Sequence, residues 1–396
     1  MWLPVIRNKK LSSAIMDKIN DINCELKVIE FQDITLFEGL AGKLLFDIEL
    51  ANATDTFCRQ EEILNDLKSI YAKVNDLDNI SLSRGVTGIF YLRDYLSKID
   101  LIECEDDEIN IAKFFYDDAL TEEIDLDYLH GMSGVILREL EGKKEINSKL
   151  MNRWIEFISM KNEKNSDSEL KWKIFSTQNN GELKKVYSLG LAHGTPSLIL
   201  ILLKLYKKRG GKLERKLLDA AVKFLLNSKY ESRGDYFFPN QIVEGVKSRS
   251  RLAWCYGDLG CALALFHYGK EVKNNEIIKF AVNVFDSHLN KLDPVRYNVF
   301  DADFCHGSVG IAHIYARMYN YTNYERYRLY SEYWYKVTLD KANFLDGLAG
   351  FKHYTGDNGC VNKYGLLEGI IGIGLSLISS INKSEPKWDR CLLLSC

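Results

Sequence analysis

Proline, histidine and long apolar runs are all scarce in this sequence of 396 residues. Only five prolines interrupt the chain, which leaves room for long helices. The longest apolar run, Leu198 to Leu203, has six residues, whereas a helix that spans a bilayer needs about 20. The 52 basic and 55 acidic residues leave a formal net charge of −3, without the basic excess typical of nucleic-acid binding. We therefore expect a soluble protein that binds no nucleic acid.

The nine cysteines and the N-terminal segment both argue against export. Nine is far below the cysteine density of small disulfide-stapled secreted domains, and an odd number cannot pair fully within one chain. Arg7, Lys9 and Lys10 interrupt the apolar residues near the start before they reach the length of a signal-peptide core. The sequence therefore predicts a cytoplasmic protein with reduced thiols.

A glycine-centred block of five residues recurs along the chain. Its eight instances are EGLAG (38–42), RGVTG (84–88), HGMSG (130–134), HGTPS (193–197), YGDLG (256–260), HGSVG (306–310), DGLAG (346–350) and EGIIG (368–372). The first glycines are 46, 46, 63, 63, 50, 40 and 22 residues apart, and every interval except the last can hold two helices with turns. Most blocks lead into an apolar helical stretch, and amphipathic segments lie between them. The pattern predicts pairs of one buried and one surface helix.

Seven such pairs predict an all-α fold whose buried helices form an inner ring. Glycine at the start of a helix lets the helix end approach its neighbours closely, which suits helices that converge on one axis. We expect an α/α toroid of about seven inner and seven outer helices, with the block at Gly347 as a loop and the seventh inner helix after Gly369. An open helical solenoid has the same periodicity and remains the alternative.

No segment of the sequence resembles a linker between domains. We therefore expect a single domain over residues 1–396, in which residues 1–35 form a leading helical segment. Residues 161–185 and 231–251 are polar, contain glycine and show weak periodicity, so we expect both to be loops. Each precedes a repeat glycine and is a candidate for part of a substrate entrance.

Reactive side chains concentrate at one register position, the residue immediately before the first glycine of each block. Three of the seven histidines of the chain stand there, His130, His193 and His306. Cys255 and Cys305 each stand one residue before this position, immediately ahead of a block. Two cysteines and one histidine suit zinc, and three protein ligands with an open fourth position are typical of a catalytic site. The CxxC pair of many zinc sites is missing here, so buried, inert cysteines remain an alternative.

Several segments together resemble the lanthionine synthetase C-like family, and within it the bacterial cyclases of class I lanthipeptide biosynthesis. These segments are SLGLAHGTPSLILIL, SRLAWCYGDLG, FCHGSVGIAHIY, GLLEGIIGIGLSL and the ending WDRCLLL. The similarity extends from about residue 36 to the C-terminus, and the WCYG and CHG elements are its most specific parts. The resemblance implies a helical toroid with a zinc ion held by Cys255, Cys305 and His306.

The resemblance also implies an activity and further site residues. Enzymes of this family add a peptide cysteine thiol to dehydroalanine or dehydrobutyrine, which closes a lanthionine or methyllanthionine ring. His193 matches the active-site histidine and is the candidate general acid, or the group that interacts with the enolate. Arg251 matches an arginine that stabilises the enolate or positions the peptide, and Asp127 an aspartate that orients His193 or begins deprotonation of the substrate. Tyr256 is expected to form a hydrogen bond near the zinc.

Two features depart from the family pattern. His130 matches no ligand or catalytic residue of the family, so we expect it to be structural. Pro196 and Ser197 replace the usual small residue and glycine of the block, which affects only local helix packing.

The partners that the resemblance implies are a dehydrated precursor peptide with leader and core, a dehydratase, and an ABC-type exporter at the cytoplasmic face of the membrane.

Two alternative functions remain at this point. One is a non-catalytic scaffold that binds peptide within a biosynthetic complex and holds a structural zinc. The other is a glycosidase, which would use Asp125 with Asp127, or Asp301 with Asp303, as paired carboxylates. A neighbouring cysteine–histidine pair is foreign to glycosidase chemistry, which disfavours the second alternative.

Overall fold

The computed structural model describes residues 2–54, 60–102, 125–142, 146–163, 168–177, 181–231 and 234–395. Within these ranges the chain forms thirteen α-helices. They are α1 (Lys9–Val28), α2 (Leu40–Thr54), α3 (Gln60–Lys73), α4 (Val86–Lys98), α5 (Met132–Glu141), α6 (Ser148–Lys161), α7 (Thr195–Arg209), α8 (Lys212–Asn227), α9 (Asp258–Glu271), α10 (Asn275–Asp286), α11 (Ser308–Thr322), α12 (Glu325–Asp340) and α13 (Ile370–Ile381).

Seven of the eight glycine blocks begin a helix. Helices α2, α4, α5, α7, α9, α11 and α13 each start one residue after the first glycine of a block, as predicted. The block at Gly347 starts no helix, so its assignment to a loop also agrees with the structure. These seven helices are buried along most of their length, whereas the helices between them alternate buried and exposed positions.

The glycines are required by a tight turn ahead of each buried helix. A Cβ atom on Gly131 would lie 2.2 Å from the carbonyl oxygen of Asp125, and one on Gly194 would lie 2.3 Å from that of Ser188. In each case the contact is with the backbone six positions earlier, which cannot move aside as a side chain can. The recurring glycine therefore reflects a recurring close contact within the turn.

The chain separates into two compact units. The first comprises Met1–Asp78, Leu252–Trp254 and Leu289–Ser395. In it, α13 packs against both α2 and α11, and α3 and α12 cover α2 and α11. Helix α1 packs against α13 and α12, so the leading segment supplies the surface helix that pairs with the last buried one.

The second unit contains Asn79–Arg251 and Cys255–His288. Its buried helices follow one another in space as α4, α5, α7 and α9, with α6 on α5, α8 on α7 and α10 on α9. Residues 103–124, between α4 and α5, lie outside the described residues, so the surface helix predicted for that interval cannot be assigned.

The second unit also contains a four-stranded antiparallel sheet that the sequence analysis did not predict. Its strands, in spatial order, are β1 (Ile174–Thr177), β2 (Leu183–Ser188), β3 (Gln241–Val243) and β4 (Val246–Lys247). The expectation of loops at 161–185 and 231–251 is therefore wrong for the residues in these strands. Strand β2 begins in the first segment, pairs there with β1, and continues to Ser188, which pairs with Gln241 of β3 in the second segment. Strand β2 leads directly into the turn that precedes α7.

A short hairpin in the first unit joins β5 (His353–Tyr354) to β6 (Cys360–Val361). It occupies the interval between the Gly347 block and α13, which is too short for a pair of helices. Its first residue, His353, is almost fully buried.

Candidate active site and metal centre

A histidine–aspartate pair lies at the starts of two neighbouring buried helices of the second unit. His193 stands two residues before the first residue of α7, and Asp127 lies in the turn that precedes α5. The Nδ1 atom of His193 lies 2.6 Å from Oδ2 of Asp127. Because an ionised carboxylate only accepts hydrogen bonds, Nδ1 carries the hydrogen of this bond. Nε2 is then the ring nitrogen that is available for proton transfer.

Asp127 also favours the protonated form of His193. Burial lowers the pKa of His193, but the hydrogen bond and the charge of Asp127 raise it by more, with smaller contributions from Cys255 and Asp125. The net effect raises the pKa of His193 above its ordinary value. The side chain keeps 24 % of its surface exposed, whereas that of Asp127 keeps 8 %. The pair is thus a partly accessible imidazole held by a buried carboxylate that raises its pKa, an arrangement suited to proton donation.

Two further rings contact His193. The His130 ring is stacked on it, with centroids 5.6 Å apart and an interplanar angle of 24°. The Tyr256 ring is tilted, at 6.1 Å and 41°. The backbone N–H of His130 donates to the second oxygen of Asp127, at 2.7 Å, so that one carboxylate contacts both histidines.

The WCYG turn packs closely against the turn that contains His193. The backbone N–H of Ala192 donates to the carbonyl oxygen of Cys255, at 3.3 Å. A Cβ atom on Gly190 would lie 2.1 Å from that same oxygen, so only glycine fits there. Cys255 is 4 % exposed, and Arg251 and Tyr256 are partly exposed. Four residues predicted for the site, Asp127, His193, Cys255 and Tyr256, therefore lie together in the second unit, and Arg251 lies four residues before Cys255.

Cys305 and His306 belong to the first unit, in the turn before α11. The Sγ atom of Cys305 and a ring nitrogen of His306 lie within 4.8 Å of each other. The backbone of Cys305 is fixed on both sides, because its N–H donates to Leu367 at 2.9 Å and its carbonyl oxygen accepts from Trp254 at 3.1 Å. This thiol and imidazole are therefore close enough to serve as ligands of one metal ion.

A second histidine, which the sequence analysis did not identify, lies beside His306. The His353 and His306 rings meet edge to face, with centroids 5.6 Å apart. His353 Nδ1 lies 2.5 Å from Oδ2 of Asp303, and His306 Nε2 lies 3.7 Å from Oδ2 of Asp301. One ligand atom each from Asp301, His306 and His353 lie within 4.8 Å of one another. His353 is outside the glycine register, so only the scarcity of histidine could have drawn attention to it.

Neighbouring carboxylates shift the pKa of His353 and of Asp303. Burial, together with the charge of Asp301, raises the pKa of Asp303. The hydrogen bond to Asp303 outweighs burial and raises the pKa of His353. Asp301 and Asp303, one of the two carboxylate pairs that a glycosidase could use, are thus directed at imidazoles and backbone N–H groups. In the other pair, both oxygens of Asp127 are bonded to His130 and His193.

The helical architecture defines the class of protein. The solved structure of nisin cyclase matches this chain with a TM-score of 0.73 at 21 % sequence identity, over 98 % of each chain. The fold is therefore the all-α, α/α toroid, and the predicted fold class is confirmed.

The sequence defines the family. Residues 30–393 match the family described as "Lanthionine synthetase C-like protein", and the chain belongs to that family. The chain is also similar to the nisin biosynthesis protein NisC of Lactococcus lactis subsp. lactis, with 23 % identity over 401 residues that cover 92 % of this chain and 90 % of that protein. Among the described residues, no helix is both long and apolar enough to cross a membrane.

Proposed function

We propose that the protein is a zinc-dependent lanthipeptide cyclase, which adds cysteine thiols of a dehydrated precursor peptide to dehydroalanine or dehydrobutyrine. The observation that carries the proposal is the bond between His193 and Asp127, which supplies a fixed proton donor at the start of a buried helix. The family membership of the chain and its similarity to a nisin biosynthesis protein support the same reaction.

Cys255, Cys305 and His306 are the proposed zinc ligands. Thiolate sulfur and imidazole nitrogen are the donors that zinc prefers, and three of them leave a fourth position open. The backbone that holds Cys305 is fixed, and Oδ2 of Asp301 lies 3.7 Å from Nε2 of His306, so a carboxylate stands beside this imidazole, as beside many metal-bound histidines. A bound zinc ion would lower the pKa of a substrate thiol, which is about 8.5 when free, and so supply the nucleophile at neutral pH.

The residues of the second unit would perform the proton chemistry. When the sulfur–carbon bond forms, the electron pair of the double bond moves onto the peptide carbonyl as an enolate, and Cα then needs a proton. His193, whose pKa is raised by Asp127, would donate that proton through Nε2. Arg251 would stabilise the enolate oxygen or position the peptide, and Tyr256 would form a hydrogen bond near the reacting sulfur.

The proposal includes partners and a location. The substrate would be a precursor peptide with leader and core, after its serines and threonines have lost water. A dehydratase and an ABC-type exporter would complete the pathway, with this protein in the cytoplasm, at the cytoplasmic face of the membrane when bound to them.

Thiol alkylation followed by mass spectrometry tests the proposal, with the dehydrated nisin precursor peptide as the probe. Each ring that closes removes one alkylatable thiol, so we expect fewer alkylated cysteines with the protein than without it. Cys305→Ala should lose both bound zinc and ring formation. Cys24→Ala, which changes an exposed cysteine of α1, is the matched control and should retain both. Ring formation by metal-free Cys305→Ala protein at the wild-type rate would refute the zinc-dependent mechanism.

A further inference from the structure

His130 is the one histidine at the register position that the proposed reaction leaves without a role. It stands immediately before Gly131, as His193 stands before Gly194 one repeat later, and the helices that follow, α5 and α7, pack together. Its side chain is exposed, so it adds little to the core of the second unit.

The ring of His130 is nevertheless held in a defined orientation. Its Nδ1 atom lies 3.0 Å from Oγ of Ser83, and that oxygen also lies 2.9 Å from the carbonyl oxygen of Leu129. A hydroxyl has one hydrogen, and the carbonyl can only accept, so both contacts are satisfied when Ser83 donates to Leu129 and accepts from His130. Nδ1 of His130 then carries the hydrogen, as Nδ1 of His193 does.

The contacts of the two histidines converge on one carboxylate. Asp127 accepts from the backbone N–H of His130 through Oδ1 and from the ring of His193 through Oδ2. The ring of His130 lies nearly parallel to that of His193, with an interplanar angle of 24° and centroids 5.6 Å apart. Fixing an exposed side chain costs conformational entropy, and the fixed ring of His130 stands where it can restrict rotation of the His193 ring.

We propose that His130 is a positioning residue of the site: its imidazole, anchored through Nδ1 to Ser83, holds the stacked ring of His193 in the orientation that directs Nδ1 to Asp127 and leaves Nε2 for proton transfer. The role of the positioned group rests on the proposed cyclase function. The positioning itself is a property of the second unit and can be measured without substrate.

Three substitutions test separately the contributions of the His130 ring and of its hydrogen bond to Ser83. His130→Ala removes both, His130→Phe keeps a ring that can stack but loses the bond to Ser83, and His130→Asn keeps a side-chain N–H for Ser83 but loses the ring. The backbone N–H to Asp127 persists in all three. Lys216→Ala, an exposed position on α8, is the control for handling and expression.

The first measurement is the imidazole nitrogen NMR spectrum of His193 in the full-length protein, assigned with His193→Gln. We expect the wild type to show one fixed tautomer with Nδ1 protonated, and His130→Ala and His130→Asn to show exchange between ring states. His130→Phe should restore much of the wild-type spectrum. An unchanged His193 spectrum in folded His130→Ala protein would overturn the proposal, and so would restoration by Asn but not by Phe. Thermal unfolding of each variant identifies any that fails to fold.

The second measurement is the rate of ring formation on the dehydrated nisin precursor peptide. A misplaced proton donor lowers kcat, so we expect His130→Ala to lose roughly tenfold to a hundredfold in kcat, with little change in KM, and His130→Phe to recover part of the loss. A wild-type kcat in His130→Ala would contradict the proposal while leaving the cyclase function intact. If the wild type forms no rings, the cyclase function fails, and the NMR measurement still decides whether His130 positions His193.

Discussion

The carboxylate of Asp127 reaches His193 at 2.6 Å, across 66 positions of the sequence, because the turns before two packed helices place the two residues side by side. The same carboxylate accepts from the backbone N–H of His130, so neither oxygen of Asp127 is left without a bond. The imidazole of His193 is thereby fixed in orientation and its pKa is raised, two properties that suit a proton donor.

Replacing Asp127 with asparagine should shift the pH dependence of the reaction. A general acid works while it is protonated, so activity is retained below the pKa of His193 and is lost as the pH rises through it. Asp127 raises that pKa, so in Asp127→Asn the loss should begin at a lower pH than in the wild type. A pH–rate profile of ring formation measures the shift. An unshifted alkaline limb would show that His193 is not the group that limits the rate there.

Replacing Gly131 with alanine should destabilise the second unit. The added Cβ would lie 2.2 Å from the carbonyl oxygen of Asp125, so the turn before α5 would have to open. We expect a loss of about 1–3 kcal/mol in the free energy of unfolding, measured in urea. Gly234→Ala is the control, since nothing lies within 4 Å of the Cβ position there. Equal stability of the two variants would contradict the close contact as the reason for the repeated glycine.

The features that the sequence predicts correctly are those that depend on contacts between residues close together in the chain. Each buried helix begins after a glycine because of a contact only six residues away, so the repeat marks seven helix starts correctly. The sheet was missed because β2 pairs with β3 across a gap that contains two helices, and because its strands are too short to show a clear alternation. His353 was missed for a similar reason: its contact with Asp303 spans 50 positions and depends on a hairpin that leaves no periodic pattern.

Asp301→Asn should weaken metal binding without removing a ligand. The carboxylate lies 3.7 Å from His306 Nε2, and a negative charge beside an imidazole strengthens its binding to a metal ion. We expect zinc affinity to fall by about tenfold to a hundredfold, as measured by competition with a chromophoric chelator. Asp346→Asn, a change of an exposed carboxylate in the same unit, should leave the affinity unchanged. Equal affinities for the two variants would mean that Asp301 serves only its backbone partners.

Asp389→Ala should cause the largest loss of stability among these variants. Asp389 is fully buried and accepts from Arg317, at 2.6 and 2.7 Å, and from His313, at 2.7 Å. Its removal leaves the guanidinium of Arg317, itself 1 % exposed, without its main counter-charge, which costs about 3–5 kcal/mol when a buried pair is broken. Chemical denaturation should show this loss in the first unit. The double variant Arg317→Met/Asp389→Leu removes both charges and should recover much of the lost stability, because an apolar pair leaves no buried charge unpaired. A double variant as unstable as Asp389→Ala would show that packing, and not the charge, determines the loss.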